Sequence, residues 1–115
     1  MKTSTFTKIV LACLLIVAFA CKRKDNIVIL YDNDVHCAVD GYAKMAGLKN
    51  QALEQTQYVS VVSCGDFAQG DVIGSLSEGR FIVDIMNQVG YDVVVMGNHE
   101  FDFGVPRMFE LTEKL

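Results

Sequence analysis

Short hydrophobic runs alternate with stretches of helical periodicity from residue 26 to the end of the chain. Residues 26–32 (NIVILYD), 58–62 (YVSVV) and 91–96 (YDVVVM) are rich in β-branched and aromatic side chains and have the length of a strand. Polar residues or a glycine follow each run. The third run contains consecutive valines, which predicts a strand that is buried on both faces.

Helices are predicted between these strands, because apolar residues recur there at the spacing of a helical face. The first helix covers residues 42–55, the second covers residues 79–89, and a third begins near Pro106, which suits a first helical turn. Gly90 follows the second helix as the usual left-handed terminator. The apolar faces contain Met45, Leu48 and Ala52 in the first helix, Phe81, Ile82, Ile85, Met86 and Val89 in the second, and Met108, Phe109 and Leu111 in the third.

The resulting order, βαβαβα, predicts an α/β fold with a parallel sheet and right-handed crossovers. Parallel strands place their carboxyl ends at one edge of the sheet, where open α/β folds carry their sites. Asp34 and His36 follow the first strand, Asp66 follows the second, and Asn98 and His99 follow the third. We therefore expect these side chains to converge, although they are far apart in the sequence.

The side chains at this edge suit divalent metal ions. Asp34 and His36 are two residues apart, so they point to the same side of an extended segment. A carboxylate oxygen beside an imidazole nitrogen suits Zn, Mn, Fe or Co. Asp66 can bridge two cations with its two oxygens, and Asn98 offers a neutral carbonyl oxygen. The chain contains only two histidines, and both follow predicted strands, which favours a functional site over two structural histidines.

The third strand is followed by a candidate acid–base group. His99 points differently from its neighbour Asn98, which leaves its ring available for proton transfer. Asp102 lies three residues further on and can accept a hydrogen bond from that ring. Glu100 is compatible with an outward charge, a helix cap or a catalytic role. Two cations about 3.5–4 Å apart clamp the attacking and leaving oxygens in phosphate-ester hydrolysis, which is the chemistry that this set of residues favours.

Three motifs together resemble the calcineurin-like metallophosphoesterase superfamily. They are Asn33-Asp34-Val35-His36, then Cys64-Gly65-Asp66 with Gln69-Gly70, and then Gly97-Asn98-His99-Glu100-Phe101-Asp102. The last motif and the helix around residues 82–87 are similar to the bacterial 5′-nucleotidase / 2′,3′-cyclic phosphodiesterase family. The resemblance covers about residues 27–110. It implies that residues 27–115 form the N-terminal part of a larger four-layer α/β/β/α metallophosphoesterase domain.

The resemblance also implies a role for each matching residue. Two divalent metal ions, Zn, Mn or similar, would act on a nucleotide or another phosphate ester. His99 would stabilise the transition state or protonate the leaving group, paired with Asp102. The metal ligands would be Asp34 and His36 for the first cation, Asp66 as the bridge, and Asn98 for the second cation.

Cys37 and Cys64 leave two alternatives open. In an exported protein they can form a disulfide; otherwise they are two small, half-buried residues. Their spacing fits no zinc-finger or redox motif. Cys37 also departs from the family pattern, which often has Gly after the Asp-x-His motif, and a thiol at this position can bind soft metals or oxidise.

Residues 1–20 differ from the rest of the chain. Lys2 and Lys8 accompany an apolar run over residues 9–20, which is shorter than the roughly 20 residues of a relaxed membrane span and fits a signal peptide. Cys21 follows small residues and resembles the acylated cysteine of bacterial lipoproteins, with residues 21–26 as a lipidated tether. We expect an exported lipoprotein anchored in a membrane and facing the periplasm or the cell surface, with a soluble secreted protein as the alternative.

The charge of the chain bears on its partners. Removing residues 1–20 would take away two lysines and no acidic residue, which changes the formal net charge from −4 to −6. Binding of nucleic-acid polymers requires basic surface. We therefore expect no nucleic-acid polymer among the partners.

The predicted ligands are few for two cations. Four side chains would serve two metals, each of which takes about four to six donors, and the later histidine motifs of the family would lie beyond Leu115. We expect a fragment of a longer protein, inactive or weakly active by itself. The first hypothesis is an exported metallophosphoesterase that dephosphorylates nucleotides. The second is a non-catalytic surface lipoprotein that keeps an α/β half-domain without a complete metal site.

Overall fold

The computed structural model describes residues 26–115. The predicted signal segment at residues 1–20, the predicted lipidation site Cys21 and the tether as far as residue 25 lie outside the described residues. Within residues 26–115, no helix is long and apolar enough to cross a lipid bilayer.

Strands and helices alternate along the described part of the chain, which confirms the predicted α/β class. All strand pairs in it are parallel. The elements are β1 (Ile27–Asp32), α1 (Val39–Gln55), β2 (Tyr58–Ser63), α2 (Val72–Ser77), α3 (Arg80–Val89), β3 (Val93–Val94), a 3₁₀ turn (His99–Phe101) and α4 (Val105–Thr112).

The largest differences from the prediction concern α1, α2 and β3. Helix α1 begins at Val39, earlier than expected. Helix α2 was not predicted, because its six residues are too few to show a helical period; the Asp71 carboxylate caps it by accepting the N–H of Val72 at 2.6 Å. Strand β3 is much shorter than predicted, since the chain leaves the sheet soon after the N–H of Val95 donates to the carbonyl of Ser63 at 2.9 Å.

The strand order is β1-β2-β3, with the first two strands fully in register. Ile27 pairs with Tyr58 and Asp32 pairs with Ser63, so β1 and β2 end at the same level. The carboxyl ends of the strands therefore meet at one edge, as predicted, and the loops that follow them are neighbours in space.

Asp92 makes hydrogen bonds to β2 just before β3 begins. Its backbone N–H donates to the carbonyl of Val61 at 2.8 Å, and its carboxylate accepts the Val61 N–H at 2.8 Å and the Ser60 hydroxyl at 3.1 Å. The Val61 N–H is the main cause that lowers the pKa of the Asp92 carboxyl group, against a smaller effect of burial. The Asp92 side chain thus extends the hydrogen bonding between β2 and β3 at the start of β3.

The hydrophobic core lies between the helices and one face of the sheet. Side chains alternate along each strand, so only every second residue faces the helices. Val93 and Val95 are each 52% exposed on the other face. The prediction that the third strand is buried on both faces is therefore wrong for this structure. The central buried apolar residues are Cys37, Tyr42, Phe67, Ala68, Ile82, Val83, Met86 and Leu111.

The helical faces are slightly rotated from their predicted positions. In α1, Tyr42 and Met45 are buried while Leu48 is exposed, and in α3, Val83 is buried while Phe81 is exposed. Helical periodicity alone leaves the edge of an apolar stripe undefined. Packing against the sheet decides which neighbour turns inward.

Candidate active site at the carboxyl ends of the strands

Hydrogen bonds donated by backbone N–H groups join the loops that follow the three strands. The N–H of Asp34 donates to the carbonyl of Gly65 at 3.2 Å, and the N–H of His36 donates to the carbonyl of Asp66 at 3.0 Å. The N–H of His99 donates to Asp66 Oδ1 at 2.8 Å. Asp66 is thus the central residue of the edge, in contact with the loops on both sides.

His36, Asp66 and His99 form a group that can hold a metal ion. Each residue offers one ligand atom, and these atoms lie within 4.8 Å of one another. The two imidazole rings meet edge to face with their centroids 4.9 Å apart. Two ring nitrogens and a carboxylate oxygen suit Zn, Mn and related divalent cations, so the donor set fits the predicted cofactor. The structure therefore places His99, which was predicted to be free for acid–base chemistry, within reach of the same cation as His36.

The backbone of the site is strained at the residues that matter for it. Asp34 (φ 54°), His36 (φ 48°), Cys37 (φ 63°) and Asp66 (φ 57°) all adopt left-handed conformations. Non-glycine residues seldom do so, and such strain concentrates at functional sites where the surrounding structure imposes it. Among non-glycine residues of the described chain, these left-handed conformations are confined to the loops after β1 and β2, with the exception of Glu78.

Backbone contacts fix the orientation of the His36 ring. Its Nδ1 lies 3.1 Å from the carbonyl oxygen of Gln69, which directs Nε2 away from that loop, and Nε2 lies 3.8 Å from Asp34 Oδ1. Gly70 permits this approach, because a Cβ added there would overlap the His36 carbonyl. A histidine ligand commonly donates its second ring N–H to a carbonyl in this way.

Asp66 is almost entirely enclosed, at 9% exposed. The His99 N–H is the main cause that lowers the pKa of its carboxyl group; burial opposes this, and Asp34 and the two histidine rings add to the lowering. Gly97 lies directly against the same carboxylate, and a Cβ added there would overlap Oδ1. Asp66 is therefore held ionised between two loops.

His99 and Asp102 form the predicted pair. Ring Nδ1 of His99 lies 2.7 Å from Asp102 Oδ2. This hydrogen bond is the main cause that raises the pKa of His99, and the nearby carboxylates add to it while burial opposes it. The pairing leaves Nε2 of the ring available for a substrate or a cation.

Two predicted ligands lie at the periphery of the group. Asp34 is exposed, and its carboxylate accepts a hydrogen bond from the Asn33 side chain. Asn98 is also exposed, and its side chain does not cap the 3₁₀ turn that it precedes. Both residues are on the converging loops, and their predicted roles as ligands stay predictions.

Glu100 is the site residue that sequence reasoning did not place. It is 0% exposed and accepts backbone hydrogen bonds from the Asp66 loop. The alternative that the Glu100 side chain points outward into solvent is therefore wrong. Its donors in the Asp66 loop are more than 30 residues away in sequence, so no local signal could have identified those contacts.

The two cysteines do not form a disulfide. Cys37 is fully buried, and its thiol donates to the carbonyl of Phe67 at 3.2 Å, while Cys64 is exposed. Burial is the main cause that raises the pKa of the Cys37 thiol. The Cys37 side chain therefore belongs to the core, and only its backbone belongs to the site.

A parallel sheet that brings histidine and aspartate side chains together beyond its strands is compatible with a site for a divalent metal ion. The chain belongs to the calcineurin-like phosphoesterase family, whose model matches residues 27–115. The proposed resemblance is therefore confirmed at the level of the family.

Several curated proteins are similar to this chain. It is 31% identical to a snake venom 5′-nucleotidase of Gloydius brevicauda, covering 74% of this chain and 17% of that protein. It is 30% identical to the 5′-nucleotidase of Bos taurus, covering 76% of this chain and 18% of that protein. The trifunctional nucleotide phosphoesterase YfkN of Bacillus subtilis is 30% identical over 69% of this chain and 5% of its own length.

The crystal structure of the calcineurin-like phosphoesterase YfkN from Bacillus subtilis has a similar fold. It superimposes with a TM-score of 0.62 at 26% identity, covering 76% of this chain and 34% of that chain. The chain thus spans less than a fifth of the length of these curated relatives.

Proposed function

We propose that this protein hydrolyses phosphate monoesters of nucleotides at a site that holds two divalent cations. The convergence of His36, Asp66 and His99 at one sheet edge is the observation that carries the proposal. The similarity to 5′-nucleotidases from snake venom and mammals supports the nucleotide as the substrate.

The ligands divide between the two cations. Asp34 and His36 would hold the first, Asp66 would bridge both with its two oxygens, and Asn98 would offer its carbonyl oxygen to the second. When bound, the cations supply charge neutralisation at the phosphoryl oxygens and a nucleophile at neutral pH. The enclosed Asp66 suits the bridging role, because its backbone contacts hold it ionised between the two loops.

His99 would assist departure of the leaving group. In the metal-free site, the hydrogen bond to Asp102 raises the pKa of the His99 ring and so favours its protonated form. The ring can donate a proton from Nε2 to the leaving oxygen, while Asp102 holds Nδ1 and stabilises the positive charge. The ring then recovers a proton from solvent, because the ring–carboxylate pair is partly exposed.

Export and lipidation complete the proposal. The apolar run over residues 9–20 and the cysteine that follows it support a cleaved signal peptide and an acylated Cys21. Acyl chains stabilise membrane attachment by about 0.8 kcal/mol per buried CH₂. The nucleotidase would then act on nucleotides outside the cytoplasm.

The test is a phosphate-release assay on the protein expressed from its complete reading frame, supplied with Mn²⁺ or Zn²⁺. Nucleoside 5′-monophosphates, cyclic phosphodiesters and a generic aryl phosphate would be compared. We expect metal-dependent release from 5′-monophosphates. No release from any of the three would refute the hydrolase, and release from the aryl phosphate alone would refute the nucleotide as substrate.

A further inference from the structure

Glu100 is a buried carboxylate whose hydrogen-bond partners are all backbone N–H groups. Oε1 accepts from Phe67 at 2.8 Å and from Ala68 at 3.0 Å. Oε2 accepts from Asp66 at 2.9 Å and from Gly97 at 2.6 Å. A carboxylate has about four acceptor positions, and four donors occupy them. Glu100 therefore has no acceptor position left for a cation.

These four donors come from two of the three loops that form the metal-binding group. Asp66, Phe67 and Ala68 follow β2, and Gly97 follows β3 immediately before the segment that carries His99. One side chain thus connects the backbone of the bridging aspartate to the backbone of the next loop. The two loops are also in contact through the hydrogen bond from the His99 N–H to Asp66 Oδ1 and through the close packing of Gly97 against the Asp66 carboxylate.

The hydrogen bonds of Glu100 hold a loop whose backbone is left-handed at Asp66 and closely packed at Gly65. Asp66 is held at φ 57°, a conformation that persists only when neighbouring groups impose it. Gly65 is packed so closely that a Cβ there would lie 2.6 Å from the Gly97 nitrogen. Without the Glu100 carboxylate, three consecutive N–H groups in this buried loop would lose their acceptor.

We propose that Glu100 is a positioning residue for the metal site. It acts through the backbone by holding the loop that carries Asp66, the proposed bridging ligand, against the loop that follows β3. This inference rests on the proposed metal-dependent function. It assigns to Glu100 a role in metal affinity, beyond a contribution to folding.

The replacement Glu100→Gln tests the role with little change in side-chain size. Glutamine retains one carbonyl oxygen and places an NH₂ donor against backbone donors, so two of the four hydrogen bonds are lost. Asp92→Asn is the matched control. It makes the same chemical change at a carboxylate that also accepts a backbone N–H, from Val61, in a strand pair outside the metal group.

The measurement is Mn²⁺ binding by isothermal titration calorimetry. The parent protein, expressed from its complete reading frame, is compared with each variant, and circular dichroism determines the folded fraction of each. Groups that support metal ligands typically change metal affinity ~10–100-fold when they are replaced, and we expect a loss of that size in folded E100Q. D92N should bind with the affinity of the parent. Equal affinities of the parent and folded E100Q would overturn the role of Glu100 alone, whereas a parent that binds no Mn²⁺ would overturn the proposed metal-dependent function as well.

Amide hydrogen exchange of the unmodified protein provides the test if E100Q does not fold. Coupling between two sites is reciprocal, so saturation with Mn²⁺ should slow exchange at the amides of residues 66–68 and 97. The Val61 amide, which is bonded to Asp92, is the internal reference. Slowing at the four amides that is no greater than at Val61 would overturn the proposal.

Discussion

The backbone N–H of His99 donates to Oδ1 of Asp66 at 2.8 Å, so the loop after the third strand supports the carboxylate at the end of the second. This bond is the main cause that lowers the pKa of Asp66. The same residue that presents an imidazole ring to the site therefore also holds the proposed bridging ligand ionised. Replacing the His99 side chain leaves this backbone bond available.

Replacement of His99 by alanine should reduce turnover strongly and leave the metal content nearly unchanged. Loss of a positioned general acid typically lowers the rate ~10²–10⁴-fold. The turnover of the full-length protein and its metal content by elemental analysis would be measured together. Lys44→Ala, an exposed change on α1, is the control. Loss of metal from the His99→Ala protein would instead make His99 a ligand, as its distance from His36 and Asp66 allows.

Replacement of Asp102 by asparagine should lower the pKa of His99. The hydrogen bond to Asp102 is the main cause that raises this pKa. The pKa of His99 is higher in the folded state than in the unfolded state. The pair therefore stabilises the fold fully at pH values below the His99 pKa of the unfolded state, and this stabilisation is lost as the pH rises through the His99 pKa of the folded state. Proton NMR titration of the metal-free protein measures the shift, and a His36→Asn variant assigns the resonances of the two histidines. An unchanged His99 pKa would contradict the pairing.

Replacement of Gly97 by alanine should weaken metal binding. The added Cβ would overlap the Asp66 carboxylate, so either Asp66 or the loop after β3 must move. Gly47→Ala is the control, because a Cβ at that helical position meets nothing within 4 Å and should stabilise α1 by about 1 kcal/mol. Calorimetric titration with Mn²⁺ compares the metal affinities of the Gly97→Ala and Gly47→Ala proteins. Parent-like affinity in the Gly97→Ala protein would show that the contact does not constrain the ligand.

Replacement of Lys49 by methionine should destabilise the fold without changing the site. The Lys49 ammonium group donates to the carbonyls of Val89 at 2.9 Å and Gly90 at 2.7 Å, and so caps the C-terminus of α3 from α1. We expect a loss of about 1–2 kcal/mol in the free energy of unfolding. Urea unfolding measures it, with exposed Lys44→Met in the same helix as the control. Equal stabilities of the two variants would refute the cap.

Replacement of Cys21 by serine should release the protein from the membrane. Serine cannot accept a thioether-linked lipid, so the proposed attachment through acyl chains would be lost. Fractionation of cells that produce the parent and the Cys21→Ser protein would measure the distribution, and mass spectrometry of the parent N-terminus would detect the lipid. Cys64→Ser, at an exposed thiol, is the control. A parent protein found in the soluble fraction would refute the anchor.

Much of the fold follows from local patterns in the sequence. β-Branched runs and helical spacing predicted the β1, α1, β2, α3, β3 and α4 elements in their correct order, because each pattern requires only neighbouring residues. The parallel sheet then followed from the alternation of strands and helices. Gly90 was correctly predicted to end α3, since its φ of 76° is accessible to glycine at little cost.

The sequence by itself also determined which residues meet, since parallel strands bring Asp34, His36, Asp66 and His99 to one edge. Only the tertiary structure decided how they meet. Glu100 is the next residue after His99, the predicted general acid. Its carboxylate nevertheless accepts hydrogen bonds from backbone N–H groups up to 34 residues away, and no local pattern encodes these contacts. The distance that brings His99 to His36 and Asp66 was likewise decided by packing, because burial and strained loop conformations depend on the whole arrangement of strands and helices.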